Sequence, residues 1–284
     1  MGTILVTGRN GFIANELVQA LKRDHKIISL VRSRKPHLDY SQEELIIADL
    51  LYLSAEQFKH YKIDLIIHAA AMIQGVPSML EENNIQSSKN VFKIAEFYNI
   101  PVIFFSSINV LFVDYLGSYA RSKKNCEEML QRSKLKYLII RVPFVLGKNS
   151  PTVKTIKDFY IKFSFFPLFG PQRGKTHLIS ISTVVDFIVD KIKQKNFSQE
   201  IVNLIGRQFY IYPEVIENVL KRKVRFVTMP YVISLKLCQL FEFLRLPFPI
   251  YSEQVKSLNL DKVIDGDFNG RAIFVDDDKK ILFD

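Results

Sequence analysis

The feature that most restricts this chain is a rhythm of short apolar runs separated by helix-length amphipathic stretches. Ile4-Leu5-Val6, residues 26–31, Leu45-Ile46-Ile47, residues 64–68, residues 102–105 and residues 137–140 are rich in β-branched side chains and lack the polar alternation of a half-solvated strand. Runs of that kind suit strands covered on both faces. Between them, residues 14–23, 84–98 and 119–133 space their apolar positions as helices do, and they supply the long crossovers that neighbouring parallel strands require. The first half therefore predicts an α/β fold, a Rossmann-type doubly wound parallel sheet. Beyond Pro143 the alternation fades into a stretch punctuated by Pro151, Pro167, Pro171, Pro213, Pro230, Pro247 and Pro249. We expect a sheet domain over residues 1–145 and a smaller C-terminal lobe over 146–284. A strand-then-helix pattern in 177–193 would allow residues of about 176–205 to return to the main sheet.

Gly8 and Gly11 fall directly after the first strand and before a helix, in Thr7-Gly8-Arg9-Asn10-Gly11-Phe12-Ile13. Glycines there let backbone amides and a helix N-terminus approach a diphosphate, so 1–145 reads as a dinucleotide-binding domain. At the end of the second strand a carboxylate selects the ribose hydroxyls of NAD, whereas a guanidinium accommodates the 2′-phosphate of NADP. This chain has Arg32 there, followed by Ser33 and Arg34, and Arg9 within the turn offers a second cation with no acid opposing it. NADP(H) is the expected cofactor and NAD(H) the alternative; a solvated charged loop is the plainer reading of Arg32, Arg34 and Lys35.

Tyr119 and Lys123 stand at i and i+4 of a predicted helix, on one face. A free phenol titrates near ~10, and a neighbouring ammonium is expected to lower that value, making Tyr119 a proton donor to a carbonyl and Lys123 its partner. Ser106-Ser107 ends the fifth strand at the carboxyl edge of the sheet, where a hydroxyl can polarise the same carbonyl. His68, at a strand end, reads as a packed histidine rather than an acid or base.

Taken together, these motifs make the chain resemble the extended or an atypical branch of the short-chain dehydrogenase/reductases, the NAD(P)-dependent epimerase/dehydratase group that acts on nucleotide sugars. The resemblance is carried by Thr7-Gly8-x-x-Gly11-Phe12-Ile13, Ala48-Asp49-Leu50, His68-Ala69-Ala70-Ala71, the asparagines Asn84 and Asn90, Ser107, Tyr119-x-x-x-Lys123 and Arg141-Val-Pro143-x-x-x-Gly147, and it extends over most of the chain. It implies Gly8, Arg9, Asn10, Gly11, Phe12, Ile13 and Arg32 around the cofactor's phosphates, and Asp49 and Leu50 at the adenine. It also implies Ala69, Ala70 and Ala71 on the phosphate-ribose side, Pro143 at the nicotinamide, and Ser107, Tyr119 and Lys123 as the catalytic set, with Lys123 also holding cofactor ribose. A homodimer through the Tyr119 helix is a further implication. Three departures stand out. Ala14 replaces the last glycine of the turn, the segment from Ser107 to Tyr119 is short, and Ile108-Asn109 occupies the place of the Asp-Glu pair that drives elimination in dehydratases. Dehydration is therefore not expected.

A chain of 284 residues, 48% hydrophobic, has enough apolar material for a large core. Its net charge of +10 comes from dispersed lysines without an aromatic-plus-basic recognition pattern, which favours small anionic ligands over nucleic acid. Cys126 and Cys238 lie far apart and outside any CxxC, so neither a disulfide framework nor a metal site is expected. No leader pattern opens the sequence and no apolar run reaches the ~18–20 residues of a spanning helix, which reads as cytoplasmic. In the second half, Arg173 and Lys175 sit on a Gly/Pro loop where they could grip a diphosphate, or merely face water over a packed lobe. Residues 230–251 are unusually apolar and read first as a core helix pair, second as a peripheral membrane patch that would suit a polyprenyl-diphosphate sugar. The expected activity is NADP(H)-dependent reduction of a 4-keto group on a nucleotide-linked deoxysugar, for cell-surface polysaccharide. A sugar 4-epimerase that retains NAD is the alternative, and a redox-sensing module that binds NADPH without turnover is a third reading, opposed by the intact Ser107, Tyr119 and Lys123.

Overall fold

The computed structural model describes residues 2–73, 75–112, 117–195, 197–244, 250–266 and 270–277. Along the first half run β1 (Thr3–Thr7), α1 (Phe12–Leu21), β2 (Lys26–Val31), β3 (Glu43–Ile47), β4 (Leu65–His68), α2 (Pro77–Tyr98), β5 (Val102–Ser107), α3 (Ser118–Arg132) and β6 (Tyr137–Val142). Each of the six apolar runs forms a strand at or within two residues of its expected bounds. The second half contributes β7 (Phe144–Leu146), α4 (Pro151–Phe163), β8 (Phe166–Phe169), β9 (Lys175–Ser180), α5 (Ile181–Gln194), β10 (Glu200–Gly206) and β11 (Phe209–Ile211). It continues through α6 (Tyr212–Leu220), β12 (Phe226–Met229), α7 (Tyr231–Phe243), α8 (Ser252–Leu258) and β13 (Arg271–Val275).

Eight strands form one parallel sheet in the order β13-β10-β6-β5-β4-β1-β2-β3. Successive side chains of a strand point to opposite faces, so each strand contributes to two cores. Ile4 and Val6 of β1 join Ile140 of β6, with Leu17 and Val18 of α1 and Val184 and Ile188 of α5, on one face. Leu5 joins Ile28, Ile66 and Phe104, with Val91 and Phe92 of α2 and Cys126 and Leu130 of α3, on the other. Helix α2 stops at Asn99, whose left-handed φ of 53° closes the last turn ahead of Pro101.

Two features depart from expectation, and a third refines it. Within residues 176–205, β9 pairs with β7 and β11 in a separate three-stranded sheet, whereas β10, which begins at Glu200, enters the main sheet beside β6. Strand β13 extends that edge further, although nothing in the pattern of residues 271–275 singled it out. The described residues of 230–251 give one helix and no core helix pair. Helix α7 buries only Ser234 and Cys238, and its large apolar side chains lie mostly outward. Arg245, Pro247 and Pro249 fall outside the described residues.

Candidate active site

In a parallel sheet every carboxyl end lies along one edge, so the strand order dictates which loops are neighbours. That edge presents, in spatial order, Pro143 after β6, Ser107 at the end of β5, Ala69 to Ala71 after β4, Gly8 after β1, Arg32 after β2 and Asp49 after β3. The order reverses between β4 and β1, which opens the crevice where doubly wound sheets bind ligands.

At that crevice the backbones of two loops touch. Gly8 has φ +74°, and a Cβ there would lie 2.7 Å from both N and Cα of Ala70, so a side chain fits neither the conformation nor the space. The turn is closed by Gly11 N–H donating to Gly8 O at 2.7 Å. Exposed Gly11 begins α1 without a side-chain cap, leaving amides of the first helical turn to point at a ligand. These residues fit a dinucleotide diphosphate. Ile13 packs on the core, and the Phe12 ring lies within 3.2 Å of where a Gly147 Cβ would project, so both side chains anchor the turn. Asn10 ties it to the neighbouring loop, donating to Ser33 O at 2.9 Å and accepting from the Tyr40 hydroxyl at 2.6 Å.

Arg9 does not serve as the second phosphate cation expected from the sequence. Its side chain is fully buried and paired with the equally buried Glu43, with Nε and Nη2 each 2.7 Å from a carboxylate oxygen. Nη1 donates to Asn15 Oδ1 and Nη2 to Asp39 O. The acid that neutralises it comes from β3, beyond the reach of motif reading. Arg32 is exposed at the mouth of the edge.

Asparagines hold the flanking loops. Asn90 Nδ2 donates to Leu50 O and Leu51 O, while Asp49 Oδ1 accepts from Leu51 N–H at 3.0 Å and caps a short 3-10 turn. Asn84 accepts from Met72 N–H at 2.7 Å, donates back to Met72 O at 2.9 Å and reaches Ser122 of α3. His68 is buried between Thr7 and Ser88 hydroxyls at 2.7 and 3.0 Å and stacks on Phe104. Burial, aided by Lys123, lowers its pKa to about 3, so it stays neutral.

Lys123 is buried on α3, its ammonium donating to Phe105 O at 2.7 Å, 4.6 Å from the Phe104 ring centre and 5.9 Å from that of Tyr119. Burial lowers its pKa to about 8 against the upward pull of Cys126 and Glu127. The phenol of Tyr119 moves opposite to the sequence expectation: burial, with Cys126 adding to it, pushes its pKa up to about 12. Desolvation is the dominant effect here. Ser107 is buried at the end of β5, where its hydroxyl oxygen accepts from Asn109 N–H at 3.2 Å. The structure thus sets Ser107 two residues beyond the carbonyl that grips Lys123, with Tyr119 one helical turn away.

Sequence reading missed the frame behind this set. The carboxylate of Glu127 accepts from the Ser106 hydroxyl and, twofold, from the Arg141 guanidinium, all three residues buried; Arg141 Nη1 also reaches Asn203 of β10. The spacing of Glu127 four residues after Lys123, together with an arginine inside an apolar strand, was the available clue. In the second half, Arg173 and Lys175 are both exposed, with Lys175 over the Phe209 ring, and Gln172 between Gly170 and Gly174 is buried with neither amide atom partnered.

Known structures share this architecture. The UDP-glucose 4-epimerase of Thermotoga maritima, solved with UDP-glucose, is 17% identical with a TM-score of 0.69 over 80% of this chain and 85% of that one. The UDP-glucuronic acid 4-epimerase of Bacillus cereus, solved with UDP-glucuronic acid and NAD, is 18% identical with a TM-score of 0.67 over 92% and 98%. An NAD-dependent NDP-hexosamine 5,6-dehydratase of tunicamycin biosynthesis is 20% identical with a TM-score of 0.68 over 81% and 85%. No curated protein sequence matches. The model of the NAD dependent epimerase/dehydratase family matches residues 4–164, more than half of the chain and the whole stretch from β1 to α4, and on that match the chain belongs to this family.

Proposed function

We propose that this protein transfers hydride reversibly between a nicotinamide dinucleotide and C4 of a nucleotide-linked sugar, with net 4-epimerisation as the outcome. The observation that carries the reading is the tie from Lys123 to Phe105 O, which brings the ammonium beside both Tyr119 and the Ser107 strand end. A bound nicotinamide would supply the site that takes up and gives back the hydride. Tyr119 exchanges the hydroxyl proton, taking it from the C4 hydroxyl as phenolate when the hydride leaves and returning it as phenol when the hydride comes back; burial alone raises its pKa to about 12, and the positive charge of an oxidised nicotinamide would bring it down. Ser107 holds the sugar oxygen, and Lys123 orients cofactor ribose while its charge offsets the cost of forming phenolate. Gly8, Gly11, Ala69, Ala70, Ala71 and the Asp49-Leu50 loop hold the dinucleotide, Pro143 borders its nicotinamide end, and the elements after residue 145 supply the sugar side.

Engagement of Arg9 by Glu43 removes one of the two cations that favoured NADP(H), and UDP-sugar epimerases solved with NAD share the fold, which supports retained NAD. A 4-keto reductase using NADP(H) is the second reading, favoured by Arg32 alone. Acid release of nucleotide from purified protein separates them: bound NAD with interconversion of UDP-sugar epimers supports epimerisation, whereas an empty site that takes up NADPH and reduces a 4-keto sugar supports the reductase. Tyr119→Phe should keep dinucleotide binding and lose at least about 100-fold in turnover; unchanged turnover removes Tyr119 from the reaction.

A further inference from the structure

Helix α7 leaves much of its apolar surface uncovered. Ser234 and Cys238 are its buried residues, flanked by the half-buried Leu235, Leu237 and Phe241, and Glu242, its one acid, is turned to α8, where it accepts from Ser252 N–H at 2.6 Å and Ser252 Oγ at 3.0 Å. At about 100° per residue, Val232, Ile233, Lys236, Gln239, Leu240, Phe243 and the capping Leu244 share one stripe, about 140° wide, on the opposite side. The large side chains there are among the most exposed apolar groups described: Leu240 is 52% exposed and Phe243 83%. Lys236 is the stripe's only charge. Lys221, Arg222, Lys223 and Arg225, all exposed, precede the helix by one four-residue strand.

We propose that α7 seats this protein on the surface of an anionic phospholipid bilayer, its apolar stripe in the headgroup–acyl boundary and its cations against lipid phosphates. Thirteen residues span about 20 Å, too short to cross the ~30 Å core, so the helix lies in the interface. Charge selects lipid over a second copy of the chain. A two-fold pairing of this stripe would bring Lys236 of both copies into one apolar seam between molecules of net charge +10, whereas an anionic surface attracts these charges.

The test is sedimentation of the full chain with vesicles of phosphatidylglycerol and phosphatidylcholine, or of phosphatidylcholine alone, at low and high salt. The wild type should pellet with the anionic vesicles, less at high salt and less on neutral lipid. Lys236→Gln should weaken binding about fivefold. Leu240→Glu combined with Phe243→Glu should weaken it at least about a hundredfold while leaving thermal unfolding unchanged, because both side chains already face outward. Absence of wild-type pelleting, or equal pelleting of the double variant, overturns the proposal. So does a wild-type dimer in sedimentation velocity that the double variant converts to monomer.

Discussion

Replacing Glu43 by alanine strands a guanidinium inside the protein. The side chains of Arg9 and Glu43 are both fully buried, and the carboxylate accepts two bonds from Arg9 and one from Ser29. Without it, Arg9 keeps Asn15 Oδ1, Asp39 O and the face of the Tyr40 ring 5.2 Å away, neutral partners that cannot balance a charge removed from water. Removing one partner of a buried pair costs about 3–5 kcal/mol. At about 2.1 cal/mol/K per residue, 284 residues unfold with an entropy of about 0.6 kcal/mol/K, so the melting temperature should fall by about 5–8 °C. Arg9→Leu combined with Glu43→Leu should recover most of this, because apolar replacement of a buried pair is near neutral. Calorimetry of the two single variants and the double gives the coupling. Titration of each with NADPH and NADH should leave their affinity ratio unchanged. A melting temperature that Glu43→Ala does not move, or a selective loss of NADPH binding in Arg9→Leu, would refute the assignment of Arg9 to the frame.

Gly8→Ala should weaken dinucleotide binding at least about tenfold by fluorescence titration, since φ +74° and a Cβ 2.7 Å from Ala70 N force the two loops apart; unchanged affinity would move the cofactor elsewhere. Arg32→Asp should weaken NADPH more than NADH, and equal effects would leave Arg32 as a solvated cation. His68 should show no imidazole titration by NMR between pH 8 and 5, its folded pKa being about 3. The unfolded chain takes up that proton near ~6.5 and the folded one does not, so stability present above that pH drains as pH falls toward 3, by up to about tenfold in the folding equilibrium per unit; a His68→Gln variant should lose this part of the slope.

The parallel sheet was legible because buried strands announce themselves in runs such as Ile103-Phe104-Phe105, and the site edge because strand ends coincide with Gly8, Ala69 and Ser107. What stayed hidden depends on partners far apart in the chain. Arg9 looked like a ligand for phosphate until Glu43, 34 residues away, proved to hold it. Tyr119 looked tuned downward by Lys123, because spacing reports neighbours and not the desolvation that dominates. Strand β13 is recruited by the edge that β10 leaves unpaired, and a core role was assigned to α7 because composition registers how much apolar surface a segment has and not which way it faces.

The carboxylate of Glu127 ties α3 to β5 through Ser106 and to β6 through Arg141, all of them buried. Seen as a mutational landscape, that tie is a lock with three tumblers. Losing the acid leaves a buried cation, losing the cation leaves a buried anion, and either single step costs about as much as a good part of the stability of a domain. Ser106, Glu127 and Arg141 are therefore expected to change together rather than one at a time.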